Sequence, residues 1–483
     1  MAQSNIDQNP YNSQTSGILL TPVEQELVFV VENDDAVANE IKTKFGVEVH
    51  IGNDSLNPST TTDQIGIFKA SPNNQGVGIF NFQDIVNNYV RSNNLATKNS
   101  KYKTITQGGA TINSKIPIHL IDKLSANTHA IKYFMCQFFV EFLNTTTNQV
   151  ERAPNTNRNS DQYMLINSYV KHNDPLIFNG ADFGFDMDDF IPLGTAANKR
   201  FLTNAPTTQY ANDGDYGTLA FLTPSLLAAE NTKKINITYY NSSDVAYAGV
   251  DTYSRQVTSP STGGYNTWSS LAERQMLYLG CFPANLKNWS TNYATAYASD
   301  LAYYKIQIKN SLNTTQALQT ITIYVNCPET KNFEPIRLCW LNQWGAWDYY
   351  TFTKKSIRST STKGTTYTQL GGTWNGSYYK PDAFRGGVRS FKVNATEKIT
   401  MNSDFVNEDH NVMFEELTNS PEVYLLEGYQ TDSAPYPRIN FNQYVTPVKL
   451  TSSSFTRKTK ANDNLIQYTF EIEKSKTLRT QSI

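Results

Sequence analysis

Residues 337–352 read RLCWLNQWGAWDYYTF, and this stretch decides how the C-terminal half folds. It contains three of the six tryptophans of the chain, and they lie on both sides of Gly345. Aromatic residues around a polar turn with a central glycine predict two strands joined by a tight bend, because glycine adopts a positive φ that tryptophan resists. So much aromatic surface in one hairpin predicts core packing or a subunit interface. The residues assigned to that role are Trp340, Trp344, Gly345, Trp347, Tyr349 and Phe352.

Sugar binding and catalysis are the alternatives to a packing role for the hairpin. The aromatic rings would serve as a platform for sugars if they faced solvent. Catalysis is disfavoured, because Asp348 is the only ionised acid of the stretch and there is no histidine or serine beside it.

The composition limits the classes of partner. A length of 483 residues predicts two or three domains, since domains average about 150 residues. Charged residues make up only 17% and the net charge is −2, so the strong positive field that attracts nucleic acid is missing. We therefore expect no nucleic-acid partner.

Cysteine spacing and apolar runs give further expectations. Cys136, Cys281, Cys327 and Cys339 form no CxxC pair, which predicts buried free thiols rather than a zinc or redox site. The N-terminus lacks a charged and apolar leader, so we expect synthesis and folding in a reducing cytoplasm. The longest apolar run, residues 131–143, is interrupted by polar side chains and is shorter than the ~20 residues that span a bilayer, so we expect no membrane insertion.

Alternating apolar residues predict a mainly β chain of antiparallel β-sandwich domains with a few short helices and long loops. The N-terminal strand signals lie at residues 26–31, 47–51 and 66–68. A helix is predicted with Asn81 as its N-cap and with Ile85, Val86, Tyr89 and Val90 on one face. The run at residues 131–142 fits either a central strand or a buried helix.

The C-terminal half has the clearest strand patterns. Residues 304–308 and 321–325 predict an antiparallel pair, and residues 422–426 and 466–472 predict two more strands. A short helix is predicted at residues 407–417, whereas the polar and basic residues 353–364 predict an exposed loop.

Polar stretches divide the chain into four predicted segments. Residues 144–160 lack an apolar period and predict a domain boundary. The segments are a flexible N-terminal arm at 1–16, a β-rich domain at 17–150, an irregular, loop-rich insertion or middle domain at 161–298, and a C-terminal β-sandwich module at 299–483.

Motifs that carry chemistry are scarce. The five histidines stand in no metal-ligand pattern, and neither a nucleophile elbow nor a phosphate-binding loop is present. The best polar cluster is Asp182, Asp186, Asp188 and Asp189, which we weigh as oxygen ligands of a hard cation, as a solvated acidic loop or as a patch that faces a partner. Paired carboxylates would also fit a glycosidase, but the sequence does not place two acids across a sugar. We predict no enzyme activity, no cofactor and no metal.

Four segments carry a resemblance to a known group of proteins. Residues 337–352 match the form x-L-x-W-L-N-x-x-G-x-W-D-Y-x-T-F, and residues 76–90, 404–426 and 446–472 add further similarity. These four segments resemble tail and baseplate structural proteins of tailed bacteriophages, of the type found in phages of Bacteroidetes hosts. The resemblance is in particular to distal-tail-like virion proteins. The resemblance leaves residues 161–298 uncovered.

The resemblance implies a β-rich, non-enzymatic virion protein, assembled in the host cytoplasm. It implies a homo-oligomer, as a hexamer or another symmetric ring between the tail tube and the receptor-binding parts, with other tail proteins as partners. The alternative hypothesis is a tailspike or fibre protein that binds or depolymerises host-surface glycan. That alternative rests on the aromatic hairpin and on the acids at residues 182–189.

Overall fold

A computed structural model describes most of the chain, and its contacts divide into two units. The described residues are 2–10, 13–15, 18–53, 56, 63–92, 94–95, 104–107, 110–113, 117–121, 124–127, 129–169, 187–190, 200–223, 234–255, 267–268, 275–309, 317–326, 333–427, 444–452, 454–458, 466–476 and 478–479. The first unit is Met1–Asn326 with Leu341–Asp348, and the second is Cys327–Trp340 with Tyr349–Ile483. In the described part of the chain, none of the helices has the length and apolar character needed to cross a bilayer.

The first unit holds the strands that precede the tryptophan hairpin. They are β1 (Asn5–Gln8), β2 (Ser13–Thr15), β3 (Ile18–Pro22), β4 (Val28–Glu32), β5 (Lys44–Gly52), β6 (Gln64–Ala70), β7 (Val77–Asn81), β8 (Thr104–Gln107), β9 (Ala110–Asn113), β10 (Leu124–Asn127), β11 (Ile131–Asn144), β12 (Gln149–Arg152), β13 (Arg158–Asn159), β14 (Tyr163–Ile166), β15 (Thr208–Asn212), β16 (Thr218–Thr223), β17 (Lys234–Asn241), β18 (Ala246–Arg255), β19 (Thr267–Trp268), β20 (Gln275–Gly280), β21 (Leu301–Lys309) and β22 (Ala317–Asn326).

The strands of the hairpin and those after it are β23 (Ile336–Leu341), β24 (Trp347–Phe352), β25 (Ile357–Gln369), β26 (Gly372–Trp374), β27 (Tyr379–Pro381), β28 (Gly387–Asn402), β29 (Val423–Leu426), β30 (Val445–Leu450), β31 (Thr469–Lys474) and β32 (Leu478–Arg479). The α-helices are short: α1 (Asp34–Asn39), α2 (Gln83–Val86), α3 (Pro283–Lys287), α4 (Thr291–Ser299) and α5 (His410–Asn419). Among the described residues, 3-10 turns lie at Ile118–Leu120 and Met187–Phe190. The predicted mainly β class with antiparallel sheets and few short helices is confirmed.

Two sheets enclose the N-terminal core. An eight-stranded sheet has the order β2-β3-β14-β11-β5-β6, with β12 and β13 also paired to β11, and a three-stranded sheet has the order β1-β4-β7. Phe29 of the small sheet packs on Phe138 of the large one with ring centroids 5.3 Å apart. The run at residues 131–142 is therefore a strand and not a helix, because β11 pairs with β5 on one side and with β14 on the other.

A six-stranded sheet with the order β15-β22-β21-β17-β18-β19 occupies much of the region predicted to be irregular. In β17, Ile235, Ile237 and Tyr239 are buried and alternate with polar residues, so the strand signal was present and was missed. The predicted antiparallel pair is confirmed, with Tyr304 opposite Ile323 and Ile306 opposite Ile321. A three-stranded sheet, β10-β20-β16, adds further regular structure.

The second unit is built on one eight-stranded sheet with the order β24-β23-β29-β30-β31-β28-β25, to which β32 adds by pairing with β28. The predicted alternation near the C-terminus is confirmed, because Ile466, Tyr468, Phe470 and Ile472 are all buried. Helix α5 confirms the helix predicted at residues 407–417, although it begins later, at His410.

Two N-terminal predictions were wrong. Residues 2–10 are not a loose arm: β1 pairs with β4, and the Ser4 N–H donates to the Thr156 carbonyl over 3.3 Å. Backbone pairing at a sheet edge needs no apolar side chains, which is why the composition gave no signal. The helix after Asn81 is only one turn, capped at Phe82, because Asn81 ends β7.

Two polar segments also proved to be regular structure. Residues 144–160, interpreted as a boundary, include the β11–β12 hairpin, in which Asn144 lies opposite Gln149, and the contacts divide the chain at residues 326–327 instead. Residues 353–364 were predicted to be an exposed loop, but only 353–356 lie outside a strand, because β25 pairs with β28 from Ile357 to Gln369. The strand was missed because both of its faces are exposed, so its sequence lacks apolar alternation.

Candidate functional site

The turn of the tryptophan hairpin is fixed by Asn342 and Gly345. The Asn342 side-chain oxygen accepts hydrogen bonds from the backbone N–H groups of Trp344 and Ala346, each over 3.0 Å. Gly345 has a φ of 73°, the left-handed conformation that the sequence predicted for it.

Gly345 is also enclosed by other parts of the first unit. Its carbonyl oxygen accepts hydrogen bonds from the hydroxyls of Ser92, over 2.5 Å, and Tyr278, over 3.3 Å. A Cβ atom at this position would lie 1.9 Å from the Asn167 carbonyl oxygen. Residue 345 is therefore glycine for two independent reasons, the backbone angle and the lack of space.

Trp344 and Trp347 are buried within the same unit, with 3% and 2% of their surface exposed. The Trp344 ring lies 4.4 Å from the Phe190 ring, and the Arg200 guanidinium stands 5.4 Å over it. The His119 ring meets Trp347 edge-on at 5.1 Å. Neither ring presents a face to solvent, so these two tryptophans are not a sugar platform, and their burial fits a packing role.

Asp348 is a buried acid at the base of the turn. The Thr203 hydroxyl donates to its carboxylate over 2.5 Å. Burial raises the pKa of Asp348 to about 6, against the opposing effect of hydrogen bonds from Thr203, Asn342 and the Asn204 backbone.

The other assigned hairpin residues pack within the second unit. Trp340, Tyr349 and Phe352 are all buried. The Arg337 guanidinium lies 5.3 Å from the Tyr349 ring centroid. Phe352 joins an aromatic cluster in which its ring is 5.8 Å from Phe470.

The hairpin is thus divided between the two units. Leu341–Asp348 belongs to the first unit, whereas Trp340 and Tyr349 belong to the second. The sequence suggested a single packing centre of the C-terminal module, and it gave no sign that the turn belongs to the preceding unit. Only contacts distant in sequence, such as the hydrogen bond from Ser92 to Gly345, reveal the division.

The four acids weighed as cation ligands are not brought together by the described structure. Asp182 and Asp186 lie outside the described residues, and so does the side chain of Asp188. Asp189 lies beside Arg200, whose backbone N–H donates to the Asp189 carbonyl over 2.8 Å. Its charge also acts on the Arg200 guanidinium, whose pKa is lowered by burial and raised by Asp189. Nowhere in the described ranges do three metal-ligating side chains cluster.

The feature that the sequence missed is a projecting ribbon. We call residues 359–393 the arm; it comprises most of β25, all of β26 and β27, and the first part of β28. From the pair Gly364–Val393 to the pair Gln369–Gly387, the two long strands pair only with each other among the described strands. This unsupported part spans about 20 Å at ~3.3 Å per residue. Gly372 is the one buried residue of the arm.

The arm ends in an ordered aromatic tip. Strands β26 and β27 form a small hairpin in which Trp374 lies opposite Tyr379. The Thr373 hydroxyl donates to Asp382 over 2.9 Å and accepts from Arg385 over 2.8 Å. Seven of the twenty large apolar side chains that are exposed among the described residues lie on the arm: Leu370, Trp374, Tyr378, Tyr379, Phe384, Val388 and Phe391.

An ion-pair network holds the base of the ribbon. Arg358 contacts Glu334, Glu397 and Glu427, each over 2.7 Å. Lys474 adds contacts to Glu397 and Glu427. Burial alone would raise the pKa of both these glutamates, but hydrogen bonds from Arg358 and Lys474 outweigh it, and the pKa of each is lowered. The network joins β25 and β28 at the point where the arm leaves the sheet.

A comparison of the chain with protein-family models and with curated proteins finds no match.

Proposed function

We propose that this protein is a non-enzymatic structural component of the virion of a tailed bacteriophage, in the tail or baseplate, where it forms part of a ring or adaptor between the tube and the receptor-binding parts. The observation that carries the proposal is the arm, an ordered ribbon whose aromatic tip is exposed. Trp374 and Phe384 are 65% and 72% exposed.

Such a tip is unfavourable in a chain that works alone. Contiguous exposed apolar surface on an ordered element marks an interaction site, and an isolated two-stranded ribbon is only marginally stable in water. A neighbouring protein that covers the tip and pairs with the ribbon removes both costs. An assembled particle supplies such a neighbour permanently.

The segments that resemble phage tail proteins support the same conclusion. Residues 404–426 and the parts of 337–352 outside the turn contribute to β23, β24, β29 and α5 of the second unit, and the arm projects from the sheet to which β23, β24 and β29 belong. Much of the resemblance therefore lies in the unit that carries the arm, whereas residues 76–90 and 341–348 belong to the first unit.

Mass spectrometry of purified particles tests this function. We expect the chain to be present at a fixed copy number relative to the other virion proteins, and to remain after washing in high salt. Its absence from intact particles, in preparations that retain all other tail proteins, would defeat the proposal.

A glycan-binding role keeps one structural observation in its favour. Four tyrosines lie opposite one another on adjacent strands β15, β22, β21 and β17: Tyr210, Tyr324, Tyr303 and Tyr240. Tyr210 and Tyr324 are exposed and stack with ring centroids 5.4 Å apart. If this role holds, Tyr210→Ala with Tyr324→Ala abolishes binding to host-surface polysaccharide, whereas Trp374→Ala leaves it unchanged. Absence of binding by the unaltered chain removes this alternative.

A further inference from the structure

We propose that the arm of one copy docks on the acidic face formed by β1, β4 and α1 of a second copy, so that the chain assembles head to tail. This inference rests on the proposed structural role and names the partner of the arm. Charge, exposed apolar surface and open strand edges make these two surfaces complementary.

The arm has a charge opposite to that of the rest of the chain. It contains five basic residues, Lys363, Lys380, Arg385, Arg389 and Lys392, and a single acid, Asp382, for a net charge of +4. Because the whole chain has a net charge of −2, the remaining residues carry −6. The negative excess is concentrated at the N-terminus, where residues 1–60 contain nine acids and two bases.

Part of that excess forms a surface. Asp7 of β1, Glu32 of β4, and Asp34 and Asp35 of α1 define what we call the acidic face, and three of them are exposed, with Glu32 half-buried. Burial, together with the charges of Glu32 and Asp34, raises the pKa of Asp7, as expected for crowded carboxylates. None of the four forms an ion pair with another residue in the described part of the chain. A basic partner would relieve this repulsion.

Strand edges favour a protein partner over a nucleic acid or a membrane. Among the described strands, β25 is the edge of its sheet and β1 is an edge of the three-stranded sheet. Open edges present unpaired backbone N–H and C=O groups that a strand of another chain satisfies and that neither phosphates nor lipids match. Because the arm and the acidic face are different surfaces, each copy can bind two neighbours, and repetition of such a contact closes a ring or extends a filament.

The aromatic tip is tested by the self-association of the full chain in analytical ultracentrifugation. Replacing Trp374→Ala together with Phe384→Ala is expected to raise the dissociation constant at least about tenfold, because aromatic anchors dominate interface energetics. The matched control replaces two exposed apolar residues outside the arm and the acidic face, Val150→Ala with Phe405→Ala, and is expected to change it less than about twofold. An equal effect of both pairs overturns the assignment of the tip.

Charge reversal tests the pairing of the two surfaces. Lys363→Glu, Lys380→Glu, Arg389→Glu and Lys392→Glu together change the net charge of the arm from +4 to −4. Asp7→Lys, Glu32→Lys, Asp34→Lys and Asp35→Lys together reverse the four charges of the acidic face. Each set is expected to weaken association about tenfold or more. The variant that carries both sets restores opposite charges on the two surfaces and is expected to recover association. Misfolding does not produce recovery, so additive loss in the combined variant overturns the proposal.

The other partner classes are separate outcomes. A chain that stays monomeric at high concentration, and whose arm instead binds single-stranded oligonucleotide or anionic vesicles with loss on Lys380→Glu and Lys392→Glu, overturns docking on a second copy. Binding of the arm to nucleic acid or lipid would not by itself contradict the proposed virion role, because that role is tested by the presence of the chain in particles. A monomeric chain found in virions overturns the inference and leaves the proposed function standing.

Discussion

The chain contains two aromatic hairpins with opposite environments. The turn at Gly345 is bonded to distant parts of the first unit, through Ser92 and through the Leu202 carbonyl, to which the Asn342 side chain donates over 2.9 Å. The tip of the arm makes its hydrogen bonds within itself, such as the one from Thr373 to Asp382. Aromatic content alone does not distinguish a packing element from a binding element. The partners of the polar groups in the turn do distinguish them, because a buried turn must have its polar groups hydrogen-bonded by the surrounding chain.

This difference predicts that the same tryptophan truncation has opposite consequences in the two hairpins. Trp344→Ala and Trp347→Ala are each expected to lower the free energy of unfolding by about 3–5 kcal/mol, because a fully buried ring leaves a cavity. Trp374→Ala, at an exposed ring, is expected to cost less than about 0.5 kcal/mol. Urea titration followed by circular dichroism measures all three. Similar losses at Trp344 and Trp374 would remove the distinction between a packing hairpin and a binding hairpin.

The two turns also contain glycines of positive φ that differ in the space around them. Gly345→Ala is expected to cost about 2–4 kcal/mol, since the left-handed backbone is combined with a collision at the Asn167 carbonyl. Gly376 in the arm has a φ of 94° but no atom within 4 Å of an added Cβ. Gly376→Ala is therefore expected to cost only the free energy of holding an alanine in the left-handed backbone conformation, about 1 kcal/mol. Thermal unfolding of both variants measures the two costs, and their difference is the cost of the collision with Asn167. Equal shifts of the melting temperature would show that the turn at Gly345 relaxes away from Asn167.

A buried acid makes the packing hairpin sensitive to pH. The pKa of Asp348 is raised to about 6 in the folded chain, above its ordinary value of 3.8. A raised pKa means that the contribution of this group to stability is fully present below its unfolded pKa and is lost as the pH rises through about 6.

Asp348→Asn keeps the shape and removes the ionisation. We expect it to stabilise the chain at pH 8 by about 1–3 kcal/mol, with the gain vanishing as the pH falls to 4. Asp161→Asn, at an exposed acid of the same unit, is the control for the loss of a carboxylate. Chemical unfolding at a series of pH values gives the comparison, and a gain at pH 8 that persists unchanged at pH 4 contradicts burial as its cause.

Local patterns in the sequence predict one hairpin well and the other poorly. The bend at Gly345 and the strands around it follow from a few neighbouring residues, and so does the alternation of Tyr304, Ile306 and Ile308. Strand β25 was not predictable in this way, because its serines and threonines face water on both sides and produce no apolar period.

The residues that contact the turn at Gly345 could not be predicted from the sequence, for a different reason. The hydroxyl of Ser92 lies 253 positions before the Gly345 carbonyl that it contacts, and Thr203 lies 145 positions before Asp348. No sequence window of ordinary length connects such residues, so the sequence shows that the turn is tight but not which residues enclose it. The burial of Asp348 follows from the same long-range contacts.

The smallest expected effect concerns the base of the arm. Arg358→Lys keeps the charge but loses the planar fork that reaches Glu334, Glu397 and Glu427 together, and we expect a loss of about 0.5–1 kcal/mol. Because the arginine side chain is 31% exposed, these ion pairs are accessible to screening by salt, and the loss should shrink in 1 M salt. Lys363→Gln, on the same strand and beyond the network, is the control and should be neutral. Urea titrations at low and high salt measure the loss of unfolding free energy. A loss that salt does not reduce would mean that the base of the arm is packed like a core, without access of water. Only the tip of the arm would then belong to the binding surface.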